Sequence, residues 1–195
     1  MQETSLPRSN RERTDATRHA LLDAARALFV AHGYGDTATP ALVAAAGITR
    51  GALYHHFADK RDLFRQVLLR ESQAVAADIR AAAPDALAPH DALLAGGDAY
   101  LAAMAVPGRT RLLLIEGPAV LGLGECLAMD ESNAAATLRE GLAEAGIASD
   151  DVPLQALAGL LSAAFDRAAL EVDMGADADQ VRAAMRWLLQ RTLGA

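Results

Sequence analysis

Hydrophobic residues recur at helical spacing along most of the chain, interrupted by short glycine, proline or polar breaks, and no useful stretch alternates with a period of two. From Thr14 onward Ala20, Leu21, Ala24, Leu28 and Phe29 share one helical stripe, which Thr14 or Asp15 can cap and Gly33 can stop. Thr39-Pro40 reads as an N-cap followed by proline at the first helical position, opening a short helix that ends at Gly47. Another short helix starts at Thr49. Asp59 can cap a fourth, with Leu63, Phe64, Val67 and Leu68 on its buried side, extending to about Ala83 before Pro84 and Pro89 break the chain. Beyond them the pattern predicts helices over 90–105, 108–116, 122–145, 151–174 and 177–193, with breaks at Pro107-Gly108, Glu116-Gly117-Pro118, Gly146 and Gly175. The expected fold class is all-α.

Residues 38–57 have the layout of a helix-turn-helix. A short helix ends at Gly47, Ile48 plugs the core, and Thr49 caps a second, very short helix. Leu42, Ile48, Leu53 and Phe57 supply an apolar side, and Ala44, Ala45 and Ala46 are candidates for the close approach between the two helices. Thr49, Arg50, Tyr54 and His55 remain for the outer face.

The run GYGDTATPALVAAAGITRGALYHHFADKRDLF resembles the DNA-binding domain of the TetR/AcrR family of transcriptional regulators. The match is carried by Gly33, Tyr34, Thr37, Ala46, Gly47, Thr49, Gly51, Leu53, Tyr54, His56, Phe57, Lys60 and Leu63 at the family's spacing. It covers roughly residues 14–70. Two positions depart from the pattern: Ala38 stands where a Ser or Thr often caps the second helix, and Val43 replaces a usual alanine.

The resemblance implies a sequence-specific DNA-binding domain followed by a helical effector-binding and dimerisation domain. Gly51 and Ala52 would let the backbone approach the major groove, and Arg50 and His55 would read base edges, since arginine grips guanine in bidentate fashion. Thr37, Thr39, Thr49, Tyr54 and Lys60 would hold phosphates, which positions a protein without reading sequence. Lys60 is the only lysine in the chain.

Charge sharpens this picture slightly. The net charge is −7, yet residues 1–80 carry 11 Lys/Arg against 9 Asp/Glu (+2) and residues 81–195 carry 7 against 16 (−9). An acidic body behind a slightly basic front is compatible with DNA contact through the front alone. Residues 1–13 are polar and aperiodic and read as a flexible tail, whose Arg8, Arg11 and Arg13 could brush phosphates. They contain no apolar core of a signal peptide. The longest uncharged run, residues 152–165, has 14 residues, short of the roughly 18 that a membrane span needs. With Cys126 the sole cysteine, no intramolecular disulfide is possible, and a cytoplasmic location is expected.

No metal or cofactor is expected. His55 and His56 are adjacent, and neighbours on a helix diverge by about 100°, so they cannot chelate one ion together. The sequence holds no nucleophile elbow, no HExxH and no phosphate-cradling glycine loop, and Gly122 and Gly124 lack a third glycine and a preceding strand. The expectation is not an enzyme.

The domain reading is therefore a tail over 1–13, a DNA-binding domain over 14–70, and a helical effector-binding and dimerisation domain over 71–195. In the last, Leu157, Leu161 and Ala164 on one helix and Met185, Leu188 and Leu189 on the next would pair across a two-fold axis as a four-helix bundle. The alternative is that these stripes face only their own core. Leu101, Met104, Leu112, Ile115, Leu121, Cys126 and Phe165 are candidates to line an apolar effector pocket, although plain core is the readier reading of each one taken singly. A homodimer implies a near-palindromic double-stranded operator, and a small apolar ligand would release it. Two alternatives stand beside this repressor: a ligand-binding or catalytic helical protein with a vestigial helix-turn-helix, and a regulator or activator that needs no effector.

Overall fold

The computed structural model describes residues 10–84, 86–147 and 152–194, with side chains from residue 14. Among them every element is helical, apart from an isolated bridge at Val152. The chain divides into two compact units, residues 1–67 and 68–195. Residues 1–9 of the expected tail, with Arg8, lie outside the described residues, as do the side chains of Arg11 and Arg13.

The N-terminal unit contains α1 (Asn10–Asp36), α2 (Thr39–Ala45), α3 (Arg50–His56) and the first turns of α4 (Lys60–Ala82). Helix α1 starts at Asn10 rather than Thr14 and breaks at Gly33, whose φ of 77° only glycine adopts freely. Its inward stripe is Leu21, Leu22, Ala25 and Phe29, while Ala20 is exposed. Phe29, Tyr34 and Phe64 form an aromatic cluster, with ring centroids 5.0–5.9 Å apart. Ala38, not Thr39, occupies the N-cap of α2. It offers no side-chain cap, so Thr39 and Pro40 are the first helical residues. Proline suits that place because its missing N–H is an orphan there anyway. Gly47 turns the chain at φ 65°, and Ile48 N–H closes on Val43 O at 3.0 Å. Ala44 and Ala45 are exposed and Ala46 is half-buried, while Leu42 is the buried residue of α2.

The body contains the later turns of α4, then α5 (Pro89–Met104), α6 (Arg109–Arg111), a π-helical turn (Leu112–Glu116), α7 (Gly117–Leu121), α8 (Leu123–Glu131), α9 (Ala134–Glu144), α10 (Leu154–Asp173) and α11 (Ala178–Thr192). Two expected boundaries change. The chain runs helically through Glu116-Gly117-Pro118, because the π turn widens the hydrogen-bond register just before Pro118, which has no N–H to give. Arg111 and Glu116 bridge that turn at 2.9 Å. Conversely, the helix expected over 122–145 is interrupted at Ser132-Asn133. Their side chains donate to Ala128 O and Met129 O at 3.2 and 2.7 Å, competing with the helical ladder.

The body's main core joins Leu93, Leu101, Leu142, Leu161, Phe165, Met185 and Leu189. Gly97 packs tightly there: a Cβ would stand 2.9 Å from Phe165 and 3.0 Å from Leu189, so those side chains would have to shift. A buried ion pair, Arg109 Nε to Glu71 at 2.9 Å, ties α6 to α4, and Arg109 Nη1 also donates to Ala103 O at 2.7 Å.

The residues expected at a dimer interface face this core. Leu161, Met185 and Leu189 are buried in it, and Leu157, Ala164 and Leu188 pack half-buried against it. Alanine-rich helices carry apolar residues on more than one face, so the stripe alone does not say which face turns inward. The outward face of α10 carries Gly159, Leu160 and Ala163, and that of α11 carries Ala183, Ala184 and Trp187. Leu160 is 73% exposed and Trp187 58%.

Candidate nucleic-acid interface and effector cavities

Helix α3 is short but firmly started: Thr49 Oγ1 accepts from Ala52 N–H at 3.2 Å. Leu53 is its buried anchor, and Phe57 is buried just beyond it. That seating turns Thr49, Arg50, Gly51, Tyr54 and His55 to solvent, while Ala52 and His56 are half-buried. The Arg50 guanidinium lies 5.6 Å from the Tyr54 ring centre, one helical turn away, so two exposed groups suited to nucleic acid share one face. Among the described residues nothing requires glycine at 51: a Cβ there would meet Thr49 Oγ1, at 3.9 Å. Burial first, and then the charge of His55, pushes the His56 pKa down, which separates its role from that of its exposed neighbour.

Two expected phosphate contacts are occupied internally. Thr37 is 1% exposed, and its hydroxyl donates to Gly33 O at 2.7 Å and Leu28 O at 3.3 Å. It therefore secures the end of α1 and presents no hydroxyl to a partner. Lys60 Nζ donates to Tyr34 O and Thr37 O at 2.9 and 3.0 Å and sits 4.1 Å from the Tyr34 ring centre. A cation suits the carbonyl-rich end of a helix. Lys60 is thus a clamp that holds the end of α1 to the start of α4. Thr39 is half-buried at the first turn of α2. Asp59 Oδ1 accepts from Asp62 N–H at 2.7 Å, capping α4. Arg18 was not singled out by sequence pattern; it donates to Gln66 at 2.8 Å and lies 5.0 Å from the Phe57 ring centre. Its place on the exposed edge of the α1 stripe carries no motif that would have marked it.

Two cavities open within the body. The larger, about 490 Å³, is walled by α4, α5, α9 and α10, including Ile79, Leu93, Gly96, Leu138 and Phe165, with Arg80, Glu140 and Glu144 as its charged residues. The smaller, about 270 Å³, is walled by α4, α5, the π turn, α7, α8, the start of α9 and α10, including Leu68, Val75, Met104, Leu113, Cys126 and Leu127. Tyr100 and Ala134 belong to both walls. Of the residues expected to line a pocket, Phe165 borders the larger cavity and Met104 and Cys126 the smaller. Leu101, Leu112 and Leu121 are buried in the packed interior and line neither; Ile115 is 51% exposed. Periodicity selects apolar faces, and a cavity wall and a filled core look the same at that level.

Sequence spacing also did not reveal the polar cluster of Tyr100, Asp130 and Asp166, which line the smaller cavity, and Ser162, which lines the larger. Tyr100 Oη donates to Asp166 Oδ1 at 2.5 Å, and Ser162 Oγ donates to Asp130 Oδ2 at 3.3 Å. Burial, and then the charge of Asp166, pushes the Asp130 carboxyl up to about 6. Burial also raises Asp166 despite the bond from Tyr100, while Tyr100 is raised well above its ordinary value by burial and by Asp166. Burial likewise pushes the Cys126 thiol up, away from a reactive thiolate. Among the described residues no group of three or more His, Cys, Asp or Glu side chains could hold a metal, and no helix is long and apolar enough to cross a membrane.

Two family models match the chain. The family model described as bacterial regulatory proteins, tetR family, matches residues 21–67, and the one described as tetracyclin repressor-like, C-terminal domain, matches residues 90–195. The transcriptional regulator AcrR of Shigella flexneri is 40% identical over 62 residues, which is 32% of this chain and 29% of that protein. The transcriptional repressor AcnR of Corynebacterium glutamicum is 41% identical over 63 residues, 32% of this chain and 33% of that protein. These curated matches thus span about a third of each relative. A solved TetR-family transcriptional regulator from Pectobacterium atrosepticum is 30% identical over 94% of both chains, with a TM-score of 0.69. The fold is shared with LfrR of Mycobacterium smegmatis, solved in complex with proflavine, at 23% identity, 93% and 97% coverage and a TM-score of 0.64. On these matches and this architecture, the chain belongs to the tetR family of bacterial regulatory proteins.

Proposed function

We propose that the protein is a homodimeric transcriptional repressor that binds a near-palindromic operator through α3 and leaves it when a small molecule occupies the body. The observation that carries the reading is α3: a capped helix, anchored by Leu53, that presents Arg50, Gly51, Tyr54 and His55 together to solvent. Arg50 and His55 read base edges, Thr49 and Tyr54 hold phosphates, and Gly51 and Ala52 allow the backbone close. The proflavine complex of LfrR supports a small-molecule site in a body of this fold.

Dimerisation is assigned to the outward faces of α10 and α11, where Gly159, Leu160, Ala163, Ala183, Ala184 and Trp187 are exposed. Small residues permit close helix approach, and an exposed Leu and Trp supply the apolar anchors an interface needs. Two such faces make a four-helix bundle about a two-fold axis, and the two recognition helices then reach major grooves about 34–36 Å apart.

The test is a mobility-shift titration on the DNA upstream of the protein's own gene, across a range of salt. Affinity should fall steeply with log salt, because neutralised phosphates release counterions. Sedimentation should give a dimer, and Leu160→Asp should give a monomer that loses the operator. A salt-independent interaction, or unchanged operator binding by Arg50→Ala, would sink the assignment of α3.

A further inference from the structure

Whereas the larger cavity also carries Arg80, the smaller differs in that its charged lining, Asp130 and Asp166, is acidic alone. We propose that it seats an apolar organic cation, an ammonium carrying a hydrophobic group, with the Asp130 and Asp166 carboxylates as counter-charge. This rests on the reading of the body as an effector-binding domain and names the class of effector.

The wall is apolar on most sides, with Leu68, Val75, Met104, Leu113 and Leu127 among its residues. The ionisable groups lining it are Asp130, Asp166, Tyr100 and Cys126, and no Lys, Arg or His is among them. A carboxylate in apolar surroundings is costly unless a cation or strong donors meet it, and two neighbouring carboxylates add repulsion. The Tyr100 hydroxyl donates to Asp166, and the Ser162 hydroxyl and the Ala135 N–H donate to Asp130, but none of them brings a positive charge. Among the described residues neither aspartate has an ion-pair partner. The cavity therefore holds negative charge that the chain leaves unneutralised. An anionic ligand adds to the repulsion, and a neutral one leaves it standing. A bare divalent ion needs more oxygen ligands than two carboxylates in an apolar wall provide. An ammonium with an apolar substituent satisfies both halves of the lining at once.

The cavity also has a route in. Leu123 and Leu127 of α8 line it and are themselves solvent-exposed, so that part of the wall is one side chain thick. The helix follows Gly122, which turns the chain at φ 91°. The larger cavity, by contrast, sets Arg80 beside Glu140 and Glu144, so its lining already brings a basic side chain to its acidic ones.

Around Asp130 the titratable groups are Glu131 and Cys126 on its own helix, Asp166 from α10 and Tyr100 from α5. All lose charge or stay neutral on protonation, so acidification can only weaken the attraction. With Asp130 protonating near pH 6, cation affinity should hold above that pH and fall below it, toward about tenfold per unit as a proton competes for the site.

The experiment is calorimetric titration of the full chain with benzyltrimethylammonium and with its neutral isostere neopentylbenzene, at pH 8 and pH 5. The expected result is binding of the cation at pH 8, at least about tenfold tighter than the isostere, and weaker at pH 5. Asp130→Asn and Asp166→Asn should each lower cation affinity by about tenfold or more and leave the isostere unaffected. Equal affinity for both probes, no cation binding up to millimolar concentration, or unchanged cation affinity in both variants would overturn the proposal. If a variant fails to fold, the comparison of charged and neutral probes across pH on the unaltered chain decides by itself. Operator binding without any probe is measured in parallel. Its loss would fail the regulator reading, whereas cation binding that leaves the operator complex intact would fail only the link between the site and release.

Discussion

In the N-terminal unit, Thr37, Thr49, Asp59 and Lys60 each tie down a specific backbone group within a few turns of chain or across one helix pair. In the body, Glu71, Arg109, Asp130 and Asp166 sit inside apolar helices and meet their partners only after the fold has formed. The first unit encodes its geometry locally, so residue types at fixed spacing are informative. The body encodes its chemistry through tertiary packing, and spacing says little about it. The two regions should therefore fail differently when mutated: damage to the N-terminal surface should cost DNA binding with stability intact, and damage to the body's polar groups should cost stability or effector response.

The largest effect is expected in the body. Glu71→Ala leaves the Arg109 guanidinium buried beside a vacated partner, and breaking a buried pair in this way costs about 3–5 kcal/mol. Chemical denaturation should show a midpoint shift of that size. A loss below about 1 kcal/mol would mean that Arg109 finds equivalent compensation from Asp78, 3.7 Å away, and that the body is more plastic than its geometry implies.

Arg50→Ala comes next and reverses the pattern. Arg50 is exposed and stacks on Tyr54, so its removal should change stability by less than about 0.5 kcal/mol. Operator affinity should fall by about 1–3 kcal/mol per half-site, with non-specific binding much less affected. A mobility-shift comparison of operator and scrambled DNA reads both. Equal losses on the two DNAs would make Arg50 a phosphate contact instead of a base reader.

These contrasts explain how much was legible in advance. The helix-turn-helix could be read because Gly47, Thr49, Leu53 and Phe57 each have one physical reason to be at their position: a positive φ, a cap, and two buried anchors. The body's helices could be counted, but their rotation could not. Leu161 and Leu160 are equally apolar neighbours, and only packing shows that the first is core and the second is exposed. The break at Glu116-Gly117-Pro118 misled because a π turn absorbs the proline, an option that residue types do not announce. Tyr100, Asp130 and Asp166 lie 30 or more positions apart, and their meeting is a property of the fold alone.

Asp130→Asn tests the body with a smaller effect and a definite sign. The Asp130 pKa is raised in the folded state to about 6 from 3.8, so the folded protein binds its proton more tightly than the unfolded chain does. Ionised Asp130 therefore lowers stability, fully above about pH 6, and the penalty disappears as pH falls toward 3.8. The asparagine variant should be more stable than the parent at pH 8 by on the order of 1–2 kcal/mol, with the difference shrinking by pH 5. Thermal unfolding at the two pH values checks it. A variant less stable than the parent at pH 8 would show that the carboxylate makes interactions that outweigh its burial.

The smallest effect addresses Lys60, whose expected phosphate contact stands against the internal bonds it makes in the structure. Lys60→Met removes two hydrogen bonds to Tyr34 O and Thr37 O and the contact with the Tyr34 ring, and keeps the aliphatic stem. For a half-buried group this should cost about 1 kcal/mol of stability. The discriminating measurement is the salt dependence of operator binding. A positioning clamp contributes no counterion release, so the slope of log affinity against log salt should be unchanged even where affinity drops. A direct phosphate contact in each half-site would instead reduce the slope by about 0.9 per contact, close to 2 for a dimer. The solitary lysine would then belong with Arg50 and Tyr54 on the proposed DNA surface, and its two carbonyl bonds would describe only the free protein.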